Sequence, residues 1–253
     1  MALGSYTECT FSAGRVMLDP FLAGCLTFQP LETAPSKPPL EPGRNALGLF
    51  ETRDAMLVAP EGVDPNVPAP LMVLFHGGGG HAEKILPMME QHALSRGFLL
   101  LVPQSQFPTW DIVIAGNGPD RERLDIALKE VAARYRLDPT HICFAGHSDG
   151  GSYALSLGLT NGQFVTHIVV SSAGFMSVHR QEGAPRIFMS HGLRDEQIPI
   201  DRGGRAHSSL LKQAGYDIAY MEYNGPHAWQ PPVAAMAVEF FMGDASGFIS
   251  ATT

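Results

Sequence analysis

The chain has 253 residues and 45% of them are hydrophobic, which supports a sizeable core in one large domain or two small ones and excludes a disordered chain. Its formal charge of −8, with no long basic run, argues against nucleic acid or an anionic membrane surface as a partner and favours a soluble small molecule. Cys9, Cys25 and Cys143 are too few and too far apart for a disulfide framework or a zinc site, and Cys143, inside an apolar run, reads as a small core residue.

The opening stretch MALGSYTECTFSAGR has no basic start followed by a long apolar segment. Neither a secretory signal nor a membrane span is expected, and the cytoplasm is the default location. GRVML and LAGCLTFQ read as two short strands. The proline-rich stretch from Pro30 to Gly48 follows; its prolines oppose a ladder or a helix, so it reads as a surface connection. LFETRDAMLVAP alternates well enough for another strand.

From Pro70 the pattern changes. Short apolar runs recur as LMVLF, FLLLVP, HICFAG, THIVVSS, RIFMSHG and DIAYMEY. Between them lie candidate helices near His81 to Arg96, Asp120 to Tyr135, Ser148 to Leu159 and Arg202 to Ala214, and a last one after Pro232. In the second of these, Leu124, Ala127, Leu128, Val131 and Ala132 share one face. Such alternation predicts an α/β fold in one domain spanning residues 1–253: a mostly parallel central sheet, helices on both faces, and an antiparallel N-terminal edge. In sheets of this kind function gathers in loops at the carboxyl ends of the strands.

GHSDG, Gly146 to Gly150, has the form Gly-x-Ser-x-Gly between a predicted strand and a predicted helix. That context turns a common pentapeptide into a candidate nucleophile on a sharp corner, with helix-start N–H groups aimed at its hydroxyl. A hydroxyl needs a base, and the base needs an orienting acid. Along such a chain they are expected in the order serine, acid, histidine. Asp195 in LRDEQIP and His227 in NGPHAW follow the last two strands in that order. Glu196, Asp201, His147, His191 and His207 are weaker candidates by position; His191, at a strand end before Gly192, is expected to hydrogen-bond locally.

LMVLFHGGGGHAEK supplies a glycine loop after an earlier strand. Acyl transfer develops negative charge on a carbonyl oxygen, and fixed backbone N–H groups stabilise it. Asp149, next to the serine, and Gly78 are the expected donors, with Gly79 the close competitor. Gly77, Gly79 and Ala82 also match a dinucleotide fingerprint, but the next strand ends in VPQSQ without the required acid. His76 and His81 lack a third ligand for a metal. No cofactor and no metal are expected.

Taken together, LFHGGGG, GHSDGGSYALSLG, HGLRDEQIP and GPHAW resemble the serine esterases of the α/β-hydrolase superfamily, and within it the phospholipase/carboxylesterase and polyester-depolymerase-like group. The resemblance runs from Leu71 to Phe241. It implies an α/β-hydrolase fold, a triad of Ser148, His227 and Asp195, and an oxyanion hole from Gly78 and Asp149. Asp149 departs from the pattern, since many carboxylesterase relatives carry glutamine there. The expected reaction is hydrolysis of a small to medium soluble ester through an acyl-enzyme. SSAGFMSVHRQEGAPR is too short for a large lid domain, so the site is expected to be open. Gly79, Trp110, Phe175, Met176 and Trp229 fall in loops near it as candidate pocket residues, with wall or core packing as the plainer account. Thioester hydrolysis, peptidase or acyltransferase chemistry with the same triad, a non-catalytic binding protein on a hydrolase scaffold, and homo-oligomerisation stay open.

Overall fold

The computed structural model describes Asp19, residues 22–30 and residues 34–243. GRVML and Cys9 lie outside these residues. The described chain builds one eight-stranded sheet in the order β1-β2-β4-β3-β5-β6-β7-β8. The strands are β1 (Gly43–Ala46), β2 (Met56–Ala59), β3 (Ala69–Phe75), β4 (Leu99–Val102), β5 (Leu137–His147), β6 (His167–Ser171), β7 (Arg186–Gly192) and β8 (Ile218–Tyr223). β1 pairs antiparallel with β2, and β2 with β4; every other pairing is parallel. The antiparallel N-terminal edge on a parallel sheet is therefore present.

Alternate residues of each strand enter two different cores. Leu71, Val73, Phe75, Ile142 and Phe144 join the cluster that also takes Leu124, Ala127, Leu128 and Val131 of α4 (Pro119–Arg134) and most apolar residues of α5 (Asp149–Thr160). Met72, Leu74, Cys143 and Ala145 join the cluster covered by α1 (Ala82–Ile85), α2 (Pro87–Arg96) and α7 (Pro231–Met242). Both faces are dry, which is why these strands read as continuous apolar runs rather than alternating ones. α6 (Gly204–Gln213) follows β7, and a four-residue helix, α3 (Asp111–Ile114), precedes α4.

Three expectations are corrected. The segment LAGCLTFQ is not a strand: residues 22–24 form a turn and 25–30 are irregular. Its amides have other acceptors, with Leu26 N–H donating to Asn161 Oδ1 (2.8 Å) and Thr27 and Phe28 N–H donating to Asp125 Oδ1 (2.8 and 2.7 Å). Side chains thus take the donors a ladder would need. The proline-rich stretch does contain a strand, β1, which starts just after its last proline, Pro42, and pairs at the sheet edge where a single ladder suffices. The helix expected near His81 to Arg96 is split, because Pro87 lacks the N–H that would continue α1. α3 leaves no periodic signal in the sequence, being four helical residues among Pro108, Gly116 and Gly118.

The strand order reverses around β3. From β3 the chain crosses to β4 on one side and returns to β5 on the other, so the loops after β3 and β5 meet at a switch point. The register Phe75↔Gly146 starts those two loops side by side. Phe144, fully buried and edge-on to Phe75 at 5.5 Å between ring centroids, sits under this junction. Phe144→Ala is expected to lower unfolding stability by about 3–5 kcal/mol in urea denaturation; a loss below about 1 kcal/mol would contradict the packing described.

Candidate active site

β5 ends at His147 and α5 begins at Asp149, leaving Ser148 alone on the corner. Its backbone sits at φ 58° and ψ −124°, a strained conformation for a residue with a side chain that costs about 1–3 kcal/mol. Two backbone bonds hold it: Ser148 N–H donates to Ser171 O (3.0 Å), and Ser148 O accepts from Ser152 N–H (2.9 Å). Glycines are required on both sides. A Cβ on Gly150 would collide with the carbonyl oxygens of Phe75 and His76, and one on Gly146 with the backbone of Gly150.

Asp195 and His227 come together across the ends of β7 and β8. His227 Nδ1 lies 2.7 Å from Asp195 Oδ2. The Asp195 side chain has no exposure and that of His227 has 9%. Asp195 Oδ1 accepts the N–H groups of Gln197 (3.0 Å) and Ile198 (2.8 Å). Burial pushes the Asp195 carboxyl up, yet the Ile198 amide and His227 outweigh it and hold the group below its ordinary range, so it stays ionised. The two loops are also knitted by backbone, with Leu193 N–H on Tyr223 O (2.8 Å) and Arg194 N–H on Gly225 O (3.0 Å).

The His227 ring packs 4.7 Å, centroid to centroid, from that of His147, the residue immediately before Ser148. That contact joins the acid–histidine pair to the serine corner. Burial, with His227 adding to it, pulls His147 down to about 4, so it stays neutral beside His227. By chain order His147 is a weaker candidate, since it stands before the acid; packing shows that it backs the His227 ring.

The glycine loop is held from behind. His76 Nδ1 lies 2.8 Å from Gly77 O, and its Nε2 accepts from Ser105 N–H (3.2 Å). Burial draws His76 down to about 4, which keeps this two-sided bond intact at neutral pH. With both ring nitrogens engaged, His76 is not placed as a metal ligand. Gly79 N–H is spent on Pro108 O (2.8 Å) and Gly80 N–H on Gly77 O (3.1 Å). Among the described residues the Gly78 amide has no such partner, and Asp149, as first residue of α5, has an amide with no partner in its helix. The two residues adjoin: a Cβ on Gly78 would lie 2.6 Å from Asp149 Oδ2. That carboxylate is turned onto Thr109 Oγ1, which donates to it at 2.6 Å. Thr109 carried no signal in the sequence.

The candidate pocket residues divide. Trp110 has no exposure: it donates Nε1–H to His76 O (2.8 Å) and stacks between His76 and Tyr153. Trp229 is 4% exposed and belongs to the core beneath α7. Neither offers a surface to a ligand; both are wall. Gly79, at φ 66°, shapes the turn of its loop. Phe175 and Met176 are half-buried, on a loop pinned to α5 by Gly174 and Phe175 N–H on Ser152 Oγ (2.9 and 3.3 Å) and Ser177 N–H on Ser156 Oγ (2.9 Å).

The loop carrying Pro108, Thr109 and Trp110 is anchored by two buried carboxylates. Asp111 Oδ2 accepts the N–H groups of Gly118 and Asp120 (2.8 Å each), and Asp120 Oδ2 accepts Asp111 N–H (2.9 Å). Burial, then the neighbouring Asp120, raises Asp111 to about 6, and Asp111 Oδ1 has no hydrogen-bond partner.

A mostly parallel eight-stranded sheet with a serine on a strained turn after β5 and an acid–histidine pair after β7 and β8 defines the α/β-hydrolase fold. A thermophilic esterase of the planctomycete Thermogutta terrifontis, solved with butyrate bound, superposes with a TM-score of 0.63 at 15% identity, over 84% of this chain and 96% of that one. In sequence the chain is 26% identical to feruloyl esterase C of Emericella nidulans over 214 residues, 79% of this chain and 77% of that protein. It is 31% identical to acyl-protein thioesterase 1 of Gibberella zeae over 113 residues, 41% of this chain and 48% of that protein. No protein-family profile matches the chain. In fold it is of the α/β-hydrolase type, and in sequence it is similar to an esterase and a thioesterase. Among the described residues no helix is long and apolar enough to cross a membrane.

Asp111 gives the site region a pH signature. Its folded value, about 6, lies above its ordinary 3.8, so the fold disfavours the ionised form and stability falls as pH rises between the two. Asp111→Asn keeps an oxygen for the two amides and removes the charge. The variant is expected to lose less melting temperature than the parent between pH 4 and pH 7; an equal or steeper loss would refute the assignment.

Proposed function

We propose that the protein is a serine hydrolase that cleaves small to medium soluble carboxylic esters through an acyl-enzyme, with all 253 residues forming one hydrolase domain. The coarser statement, a carboxylic ester hydrolase, rests on its esterase relatives in sequence and fold. The finer one rests on the site. The observation that carries it is the 2.7 Å alignment of Asp195 Oδ2 on His227 Nδ1, with the His227 ring against the residue that precedes a strained serine.

In this reading Ser148 Oγ attacks the ester carbonyl carbon while His227 Nε2 takes its proton. Asp195, ionised, accepts the Nδ1–H and stabilises the imidazolium that forms. The carbonyl oxygen becomes an oxyanion facing the amides of Gly78 and Asp149, each worth about 3 kcal/mol in such a role. The C–O bond to the alcohol breaks as His227 returns the proton to the leaving oxygen. Water then attacks the acyl-serine with His227 again as base, releasing the acid and restoring Ser148. The α5 N-terminus adds its partial positive charge at the oxyanion. The Asp149 carboxylate, engaged by Thr109, leaves its amide free to act.

Feruloyl esterase C covers most of the chain, so hydroxycinnamate esters head the substrate panel, beside short acyl esters and an acyl thioester suggested by the shorter thioesterase match. Cytoplasmic location and action without a cofactor belong to the same proposal.

Ser148→Ala is expected to lower kcat on the panel by about 10⁴- to 10⁶-fold with an unchanged fold by circular dichroism, and to abolish labelling by a fluorophosphonate. Labelling that persists in the variant, or near-normal hydrolysis, would overturn the assignment. Asp195→Asn is expected to cost about 10⁴-fold in kcat by presenting His227 in the wrong tautomer; a negligible loss would point to another acid.

A further inference from the structure

We propose that His191 is a positioning residue for this reaction: a neutral imidazole that fixes the oxygen of Asp195 on which His227 is aligned. The inference rests on the reading of Asp195 as the triad acid. His191 is the penultimate residue of β7, and its side chain has no exposure. Its Nδ1 accepts the N–H of Gly204 at the start of α6 (3.1 Å). The proton of a neutral ring therefore sits on Nε2. Nε2 lies 2.9 Å from Ile198 O and 3.3 Å from Asp195 Oδ2. That N–H bonds the loop that carries the acid and stands beside the acid itself.

Both oxygens of Asp195 are held, with the Ser172 side chain a further favourable neighbour of the carboxylate. Oδ1 takes the amides of Gln197 and Ile198. Oδ2 lies between His227 Nδ1 (2.7 Å) and His191 Nε2 (3.3 Å). Without His191, Oδ2 loses its contact opposite His227, and the Ile198 carbonyl loses the bond that ties residues 195–198 to β7. The space for the imidazole is built. A Cβ on Gly203 would lie 2.7 Å from His191 Cε1, and one on Gly204 would lie 3.0 Å from Nδ1, so two consecutive glycines let α6 approach the ring. A ring protonated on both nitrogens would meet the Gly204 N–H donor to donor. The geometry selects one tautomer, and with it one direction for the Asp195 carboxylate.

The test uses three substitutions. His191→Phe fills the cradle and removes both polar contacts. His191→Gln keeps an N–H donor at the position of Nε2. His191→Asn keeps an acceptor for Gly204 and loses the donor toward Asp195. His191→Phe and His191→Asn are expected to lower kcat about 10- to 100-fold, the scale on which a displaced catalytic group acts, with KM within about twofold. His191→Gln is expected to recover most of that loss. In an Asp195→Asn background His191→Phe is expected to change kcat by less than about twofold, because the two residues act as one unit.

The proposal is overturned if His191→Phe keeps the parent kcat, if its loss is the same factor with and without Asp195, or if glutamine serves no better than asparagine. If the phenylalanine variant does not fold, the glutamine–asparagine comparison decides alone: glutamine above asparagine supports the role, and the reverse refutes it. Asp195→Asn by itself separates the two levels, since full activity there would remove the triad reading and this inference with it.

Discussion

Helix α5 lies against the β3–β5 pair with nothing but backbone between them at its first turn, and the rest of the site depends on that approach. Gly146 and Gly150 leave no side chain to hold the chain apart, and Gly150 rests on the carbonyls of Phe75 and His76. The chain can then turn from strand to helix in a single residue, at a cost of about 1–3 kcal/mol for Ser148. Burial of nearly every residue of α5 offsets that cost: Tyr153, Leu155, Leu157 and Leu159 alone are each worth about 1.5–3 kcal/mol. The strain is affordable because the helix that follows is inside the protein rather than on it.

The same approach orders the polar groups. Because β3 and β5 are neighbours in register, the glycine loop and the start of α5 lie side by side, and Gly78 adjoins Asp149. Because β7 and β8 are neighbours at the other end of the sheet, Asp195 and His227 meet with their loops knitted by backbone bonds. Four histidines near these loops illustrate how burial assigns roles. His76 and His147 are held neutral by desolvation. His191 is committed to the Nε2–H form by the amide it accepts from, and His227 is the one aligned on a carboxylate. An unpaired cationic imidazole in any of the first three places would compete with His227 for Asp195 or break a loop contact.

Much of this was legible in the residues. The six apolar runs from β3 to β8 were readable because strands covered on both faces must be apolar throughout. GHSDG, Asp195 and His227 were readable because the order of a chain through a parallel sheet dictates which loop each group occupies. Less legible were features whose signal lies in a partner distant in sequence. LAGCLTFQ has strand composition, yet Asp125 and Asn161 take its amides. Trp110 and Trp229 stand in loops at the rim of the site, yet each ring turns inward to the core. Thr109 means nothing locally and acquires a role only opposite Asp149.

By itself the sequence determined the fold class, the strand–helix alternation and the candidate triad residues, since periodicity, glycine placement and loop order are local properties of a chain. Tertiary structure alone decided that the amides of Gly79 and Gly80 are taken, by Pro108 O and Gly77 O. It likewise decided that His147 backs His227 and that His191 steadies Asp195. The physical reason is that a hydrogen-bond donor has a role only through its partner, and in each case packing set the choice among partners that the sequence left open.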